Sequence, residues 1–421
     1  MLIEFNVANF QALRDSQRFS LVRGKGTELE SNVFRTPAPN EFELLRSAAI
    51  YGPNASGKTT FIRALEVMKE IVLESATARK AGEELPLAPF LLSGETRDKP
   101  SDFEVIFLLD GVRYQYGFSA SPRKVHDEWL FAFPRGRAQR WFQRVWDAEQ
   151  GEYEWYLGDK LEGEKQLWQK STRDNALYLS TAVNLNAKQL QPIYDWFHNH
   201  LRVAGVGGWS PSFSASRCDN GQKQQILEFL RAADLAIRDI LVEKTPFDVS
   251  KLPDDMPDPV KQALISDLKD SEVFDLKTVH QADDGRSVSF DLEVESAGTQ
   301  KLFAFAGPWL DALDKGYTLF IDELNNSLHP RLVRFLVELF HDPERNSKNA
   351  QLVFTTHETS ILNQQVLRRD QVWFCERGKD QAARIYPLTD FRPRKGRENL
   401  ELAYLSGRYG ALPFIGHRKS A

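Results

Sequence analysis

Apolar and polar residues alternate from the first positions of the chain. Ile3, Phe5 and Val7 oppose Glu4 and Asn6, which predicts a half-buried strand over 2–7. A second apolar run, Ala48-Ala49-Ile50-Tyr51, leads into a glycine-rich turn. Beyond it Phe61, Ile62, Leu65, Met68, Ile71 and Val72 recur at helical spacing, predicting a helix from Thr59 to about Ser75. Between 103 and 155 the period returns to two, as in Phe103, Val105, Phe107 and in Tyr114, Tyr116, Phe118. Asp110-Gly111, Pro134-Arg135-Gly136 and Gln150-Gly151 break these runs into expected hairpins. Residues 160–275 read as mostly helical and irregular, with Pro253 to Pro259 as a linker or a turn before a helix. A strand is expected at 287–294. Helices at 299–314 and 329–340 then alternate with strands at 317–321 and 351–355.

Strands alternating with helices predict an α/β fold with a largely parallel sheet. The hairpins add an antiparallel β subdomain, and the middle of the chain a helical insertion. At about 150 residues per domain, 421 residues allow two to three domains. The expected division is 1–158, 159–284 and 285–421.

Composition narrows the class. With 42% hydrophobic and 27% charged residues, the chain can bury a core, which excludes disordered and low-complexity classes. A net charge of -5 excludes a globally basic nucleic-acid coat but leaves room for a local basic groove. Two cysteines, Cys218 and Cys375, cannot make a disulfide framework or a four-ligand zinc site, so a reducing compartment is expected. No apolar run is long enough to span a membrane, and the first residues lack a signal-peptide pattern. The expectation is a soluble, cytoplasmic protein.

Four segments carry candidate chemistry. Gly52-Pro53-Asn54-Ala55-Ser56-Gly57-Lys58-Thr59 fits G-x-x-x-x-G-K-[ST] at every fixed position, with Thr60 entering the helix. The glycines let backbone N–H groups curl around phosphate oxygens, Lys58 reaches the β- and γ-phosphates, and the Thr59 hydroxyl can ligate Mg²⁺. The apolar strand before Asp322-Glu323 can deliver Asp322 to that metal and Glu323 to an attacking water. Alone, such a strand end is common; downstream of a phosphate loop it gains meaning. Ser296 and Gly298 begin a helix, where a hydroxyl, free N–H groups and the helix dipole favour an anion. A plain N-cap serine would look the same. His357 closes the strand Val353-Phe354-Thr355-Thr356, a position where a lone histidine is usually structural.

In order, these elements resemble the Walker A, signature, Walker B and switch-histidine motifs of the ABC ATPase superfamily. They are closer to its SMC/Rad50/RecF-like branch than to transporters. Lys58 and Ser296 lie 238 positions apart, and no heptads fill the interval, so no coiled-coil arm is expected. Asn9-Phe10, Glu295 to Gln300, Asp322 to Pro330 and Tyr404 to Pro413 further resemble bacterial AAA-type ATP-binding proteins of phage-defence cassettes, of the RloA and AbiL kind.

The resemblance implies ATP and Mg²⁺ as ligands and His357 as a γ-phosphate sensor. It also implies a head-to-tail dimer, in which Ser296 of one subunit meets ATP on Lys58 of the other. The expected function is a nucleotide-gated ATPase that regulates a nuclease or toxin encoded beside it. The alternative is a RecF-like DNA-binding repair ATPase. Three features depart from the pattern. Ala297 replaces a signature glycine. Asn325 stands where an acidic or turn-forming residue is usual. Gln115 is no better as a Q-loop glutamine than as a solvent-facing one.

Local charge and aromatics complete the picture. Residues 377–421 carry ten Lys/Arg and four Asp/Glu, most densely at Arg392-Pro-Arg394-Lys395-Gly-Arg397, and 123–144 six and two. Either stretch could be a solvated face, meet an acidic partner, or contact DNA or RNA phosphates. Seven of nine tryptophans fall between 129 and 209, as core of that region or as partner anchors.

Overall fold

The computed structural model describes residues 1–37, 42–205, 208–246, 256–257, 261–262, 265 and 272–413. Of the expected linker at 253–259, only Met256 and Pro257 are described. The last basic residues, Arg418 and Lys419, also lie outside the described residues. The chain divides into two compact units. One is Met1–Val206 with Ala312–Asn326 and Val333–Ala421; the other is Gly207–Asp311 with Ser327–Leu332.

The first unit holds two sheets. Seven antiparallel strands run in the order Glu152–Leu157, Gln139–Asp147, Lys124–Phe133, Val112–Ser121, Ser101–Leu109, Leu2–Ala8, Gln17–Ser20. Their alternation is the period-two pattern made physical: Phe103, Val105 and Phe107 are buried while Asp102 is exposed. The second sheet runs Leu201–Ala204, Thr318–Ile321, Gln351–Thr356, Ser47–Tyr51, Val372–Arg377, Ala383–Pro387. Its first five strands are parallel and only the last is antiparallel. All of Ser47–Tyr51 is buried, which explains why this strand reads as a continuous apolar run rather than an alternation. The helix Lys58–Glu74 shares one continuous core with both sheets, with Phe61 against Phe5 and Phe19. A mostly parallel sheet with an antiparallel β subdomain agrees with the expected α/β class.

Two local readings differ. Leu201–Ala204, inside the stretch read as helical, is a strand that pairs with Thr318–Ile321. Four residues are too few to display a period. Asp239–Pro246 is also a strand in that stretch. The aromatic clustering resolves toward packing: Trp141, Trp168 and Trp196 are buried, and Trp196 stacks on Phe107 at 4.1 Å.

In the second unit Asp239–Pro246, Glu272–Gln281 and Ser287–Asp291 form an antiparallel sheet. The helix Ala297–Lys315 contains Pro308, which cannot donate to the Ala304 carbonyl. Ser214 Oγ compensates, at 2.5 Å from the Phe303 oxygen and 3.3 Å from that of Ala304, while accepting the Gly307 N–H at 2.9 Å.

Candidate functional site

Three neighbouring parallel strands end in the candidate residues. Ser47–Tyr51 runs into the phosphate loop, Gln351–Thr356 into His357, and Thr318–Ile321 into Asp322-Glu323. Parallel pairing brings all three carboxyl ends to one edge, where open α/β sheets bind ligands.

The loop needs its glycines. A Cβ on Gly52 would lie 2.2 Å from the Cys375 carbonyl oxygen. At Gly57, where φ is +110°, it would lie 2.4 Å from Ala383 Cβ. Ala55 also takes a positive φ of 60°. Lys58 is buried and donates to the Gly52 and Pro53 carbonyls at 2.8 and 3.0 Å, within its own loop. Burial pulls its ammonium below the ordinary lysine value, opposed by the charges of Glu323 and Asp322. Cys375 lies beneath the loop, its Sγ 3.3 Å from the Ser56 oxygen, and burial pushes the thiol up to about 11, so it packs rather than reacts.

Beside the loop runs a short polar relay. The Glu323 N–H donates to Thr355 Oγ1 at 2.8 Å, and that hydroxyl donates to Asp322 Oδ1 at 2.6 Å. Glu323 adopts φ 54°, a conformation costing about 1–2 kcal/mol for a non-glycine residue, and Thr355 holds it there. His357 Nε2 lies 3.0 Å from Glu323 Oε1 and 3.3 Å from Lys58 Nζ. The ring thus links the carboxylate to the loop lysine.

Asp322 Oδ2 and Ser56 Oγ are among the buried polar atoms that have no hydrogen-bond partner. A buried carboxylate oxygen left unpaired is costly unless a ligand completes it. Asp322 Oδ2 and the exposed Thr59 hydroxyl are the hard oxygen donors Mg²⁺ prefers, so the residues fit that ion. Among the described residues no group of three or more His, Cys, Asp or Glu is placed to hold a metal ion.

The structure therefore brings Gly52 to Thr60, Asp322, Glu323 and His357 together. Ser296 and Gly298 belong to the second unit. There Ser296 Oγ accepts the Thr299 N–H at 3.2 Å, and a Cβ on Gly298 would come within 3.0 Å of the Ser327 carbonyl. Gln115 lies on a strand of the antiparallel sheet and donates to Glu104 at 2.7 Å.

Two further contributors, Asn325 and Tyr404 to Pro413, were visible in the sequence but had no place in the site it predicts. Asn325 Oδ1 accepts the His357 N–H and the Thr356 hydroxyl, fixing the strand end that carries the histidine. Its position beside Asp322-Glu323 was the available signal. The second contributor is the segment Leu400–Pro413. Tyr404, Leu405, Leu412 and Pro413 face Pro53, Ser56 and His357 across a cavity of about 730 Å³. Tyr404 is anchored by stacking on Phe374 at 5.3 Å and by donating to the Ala411 oxygen at 2.8 Å.

A phosphate loop follows one strand of a mostly parallel sheet, and the His and Asp-Glu strand ends lie on the next two strands to one side, an arrangement of P-loop nucleotide-binding type. Residues 47–363 match the family described as "AAA domain, putative AbiEii toxin, Type IV TA system", and the chain belongs to it. No curated protein matches significantly. The chain is similar to the SMC head domain from Thermotoga maritima, at 14% identity and TM-score 0.38 over 92% of this chain and 98% of that one. It is similar to the Smc head domain with an extended coiled coil bound to the C-terminal domain of ScpA derived from Pyrococcus furiosus, at 10% identity and TM-score 0.40 over 91% and 95%. It is also similar to cbiO1 from Clostridium perfringens, at 9% identity and TM-score 0.34 over 97% and 96%. Among the described residues, no helix is long and apolar enough to cross a membrane.

Proposed function

We propose that this chain hydrolyses ATP and works as a nucleotide-gated, head-to-tail dimer. It regulates a partner nuclease or toxin in bacterial antiphage defence, in the manner of the RloA and AbiL proteins. The observation that carries the ATPase reading is the relay Glu323–Thr355–Asp322 with His357 between Glu323 and Lys58. The family description supports a place in a toxin–antitoxin type of system.

Lys58 exchanges its two loop carbonyls for β- and γ-phosphate oxygens, and loop N–H groups hold the rest of the phosphate chain. Asp322 and Thr59 would hold Mg²⁺, which when bound neutralises charge on the phosphates. Glu323 Oε1 accepts a proton from the attacking water, and His357 orients that carboxylate from its strand end. In the dimer, Ser296 and Gly298 of one subunit complete the site of the other. ATP then favours the closed state by its differential affinity.

Glu323→Gln with ATP tests the reading by light scattering. Dimers formed with ATP, lost on Ser296→Arg and persisting because hydrolysis is blocked, are expected. A mass independent of ATP, in a protein that still binds it, would remove the gating model. Co-purification with the neighbouring gene product tests the partner.

A further inference from the structure

A second cavity lies at the opposite end of the central sheet. Val372 pairs with Ala49 and Phe374 with Tyr51, so the turn before Val372 sits where Ser47–Tyr51 begins, away from the phosphate loop. The cavity is about 440 Å³ and is lined by Lys25, Glu28, Arg369, Asp370 and Arg392. It is a built site. The fully buried Arg368 donates to the Gly26 and Glu28 carbonyls, and Asp370 accepts the Gly24 N–H at 2.8 Å.

Both acids in the lining face cations, although the buried Glu28 Oε2 accepts no hydrogen bond and lies 3.7 Å from Lys395 Nζ. Glu28 pairs with Arg369 at 2.9 Å and Asp370 with Arg368 at 2.8 Å. Lys25 and Arg392 form no ion pair among the described residues, although the cavity is next to them. Arg392 also sits at φ 48°, a conformation that glycine or asparagine adopts at less cost. An arginine kept in such a place needs a reason beyond the turn.

The cations continue past the cavity. Arg394, Lys395 and Arg397 are exposed on the next turn, and Lys395 Nζ is fastened to Thr27 Oγ1 at 2.6 Å. Gln364 clamps that turn, donating to the Arg394 and Glu398 carbonyls and accepting the Gly396 N–H at 2.7 Å. A small anion would use only the cavity. A linear polyphosphate ester uses the cavity and the turn together, and guanidinium forks suit phosphate oxygens.

We propose that Lys25, Arg392, Arg394 and Arg397 form a site for the phosphate backbone of a nucleic acid. Residues 359–364 and 392–405, joined through Gln364, also reach the nucleotide cavity. Thr359, two residues after His357, donates to Glu401 at 2.7 Å, and the helix Leu400–Leu405 begins three residues after Arg397 and carries Tyr404 and Leu405 into that cavity. Coupling of nucleic acid and ATP through these segments is part of the proposal, and linkage would make it reciprocal. This second clause rests on the nucleotide reading; the site itself does not.

Fluorescence anisotropy of a labelled 20-nucleotide single strand, without ATP, tests the site. The wild type binds with a strong salt dependence. Arg392→Gln/Arg394→Gln/Arg397→Gln binds on the order of a hundredfold more weakly at about 0.1 M salt, and its log–log salt slope is smaller by about two. Lys25→Gln shows a smaller loss in the same direction. Equal affinity of the triple variant and wild type, or no binding by wild type at about 50 mM salt, overturns the proposal. Displacement of the strand by equimolar inorganic pyrophosphate in a Lys58→Ala background would show a small-anion site and overturn it too. Unchanged melting temperatures confirm that the exposed substitutions leave the fold intact. Loss of strand binding with intact ATP binding separates this site from the loop.

Discussion

Asn325 Oδ1 accepts the backbone N–H of His357 at 3.1 Å and the hydroxyl of Thr356 at 2.8 Å. One side chain from the end of the Asp322 strand thus pins the end of its neighbour. The histidine needs that pin to stay between Glu323 and Lys58. Asn325→Ala is expected to lower ATP turnover about tenfold to a hundredfold with little change in nucleotide affinity. Asn325→Asp retains most turnover, because a carboxylate accepts the same two hydrogen bonds. Steady-state hydrolysis with a separate ATP titration checks both.

Glu323→Gln keeps the side chain's shape and removes its proton acceptor. Turnover is expected to fall on the order of a hundredfold or more while ATP binding persists. Lys58→Ala shows the reverse order of events, losing binding first. Comparable losses of binding in both variants would contradict the separate roles.

His341 gives the protein an acid limit. Burial pulls its imidazole down from 6.5 to about 3, with Arg46 adding to the effect, while Ser47 Oγ lies 2.7 Å from its Nε2. The unfolded chain takes up a proton that the native state refuses. Its contribution is complete above pH 6.5 and is lost as pH falls toward 3, a change on the order of 5 kcal/mol over that window. Denaturant titrations from pH 7 to 4 should show a shallower decline for His341→Gln than for wild type.

Glu128 and Arg144 form an ion pair with no exposed side-chain surface, and Glu128 also accepts the N–H groups of Tyr178 and Leu179. Glu128→Ala strands the guanidinium and both amides. It should cost about 3–5 kcal/mol of stability without altering ATP affinity in the fraction that remains folded. Melting temperature together with a nucleotide titration distinguishes the two effects.

How much of this was legible depended on whether the signal was local. The phosphate loop was readable because one loop supplies every part of it, and Asp322, Glu323 and His357 because each ends an apolar run. The role of Thr355 was not. It arises only when Ile321 pairs with Phe354, a register no spacing announces. Asn325 was visible as an oddity, but the atoms it holds are 31 and 32 positions away. The strand Leu201–Ala204 was hidden because it is short, and its identity comes from its neighbour rather than its own residues. The cavity wall at Tyr404–Pro413 was noticed as a motif, yet its place beside Pro53 follows from a stack on Phe374.

The order of strands in the central sheet also sets a timetable for synthesis. The strand Ser47–Tyr51 is flanked by Gln351–Thr356 and Val372–Arg377, and the first of these begins 300 residues after Tyr51. At about 5–20 residues per second, a ribosome needs about 15–60 s to supply that partner. Throughout that interval both edges of the most apolar strand lack their final neighbours, the state most open to pairing with another chain. The phosphate loop is thus encoded early and assembled late, and the yield of folded protein should respond to translation speed across residues 52–350.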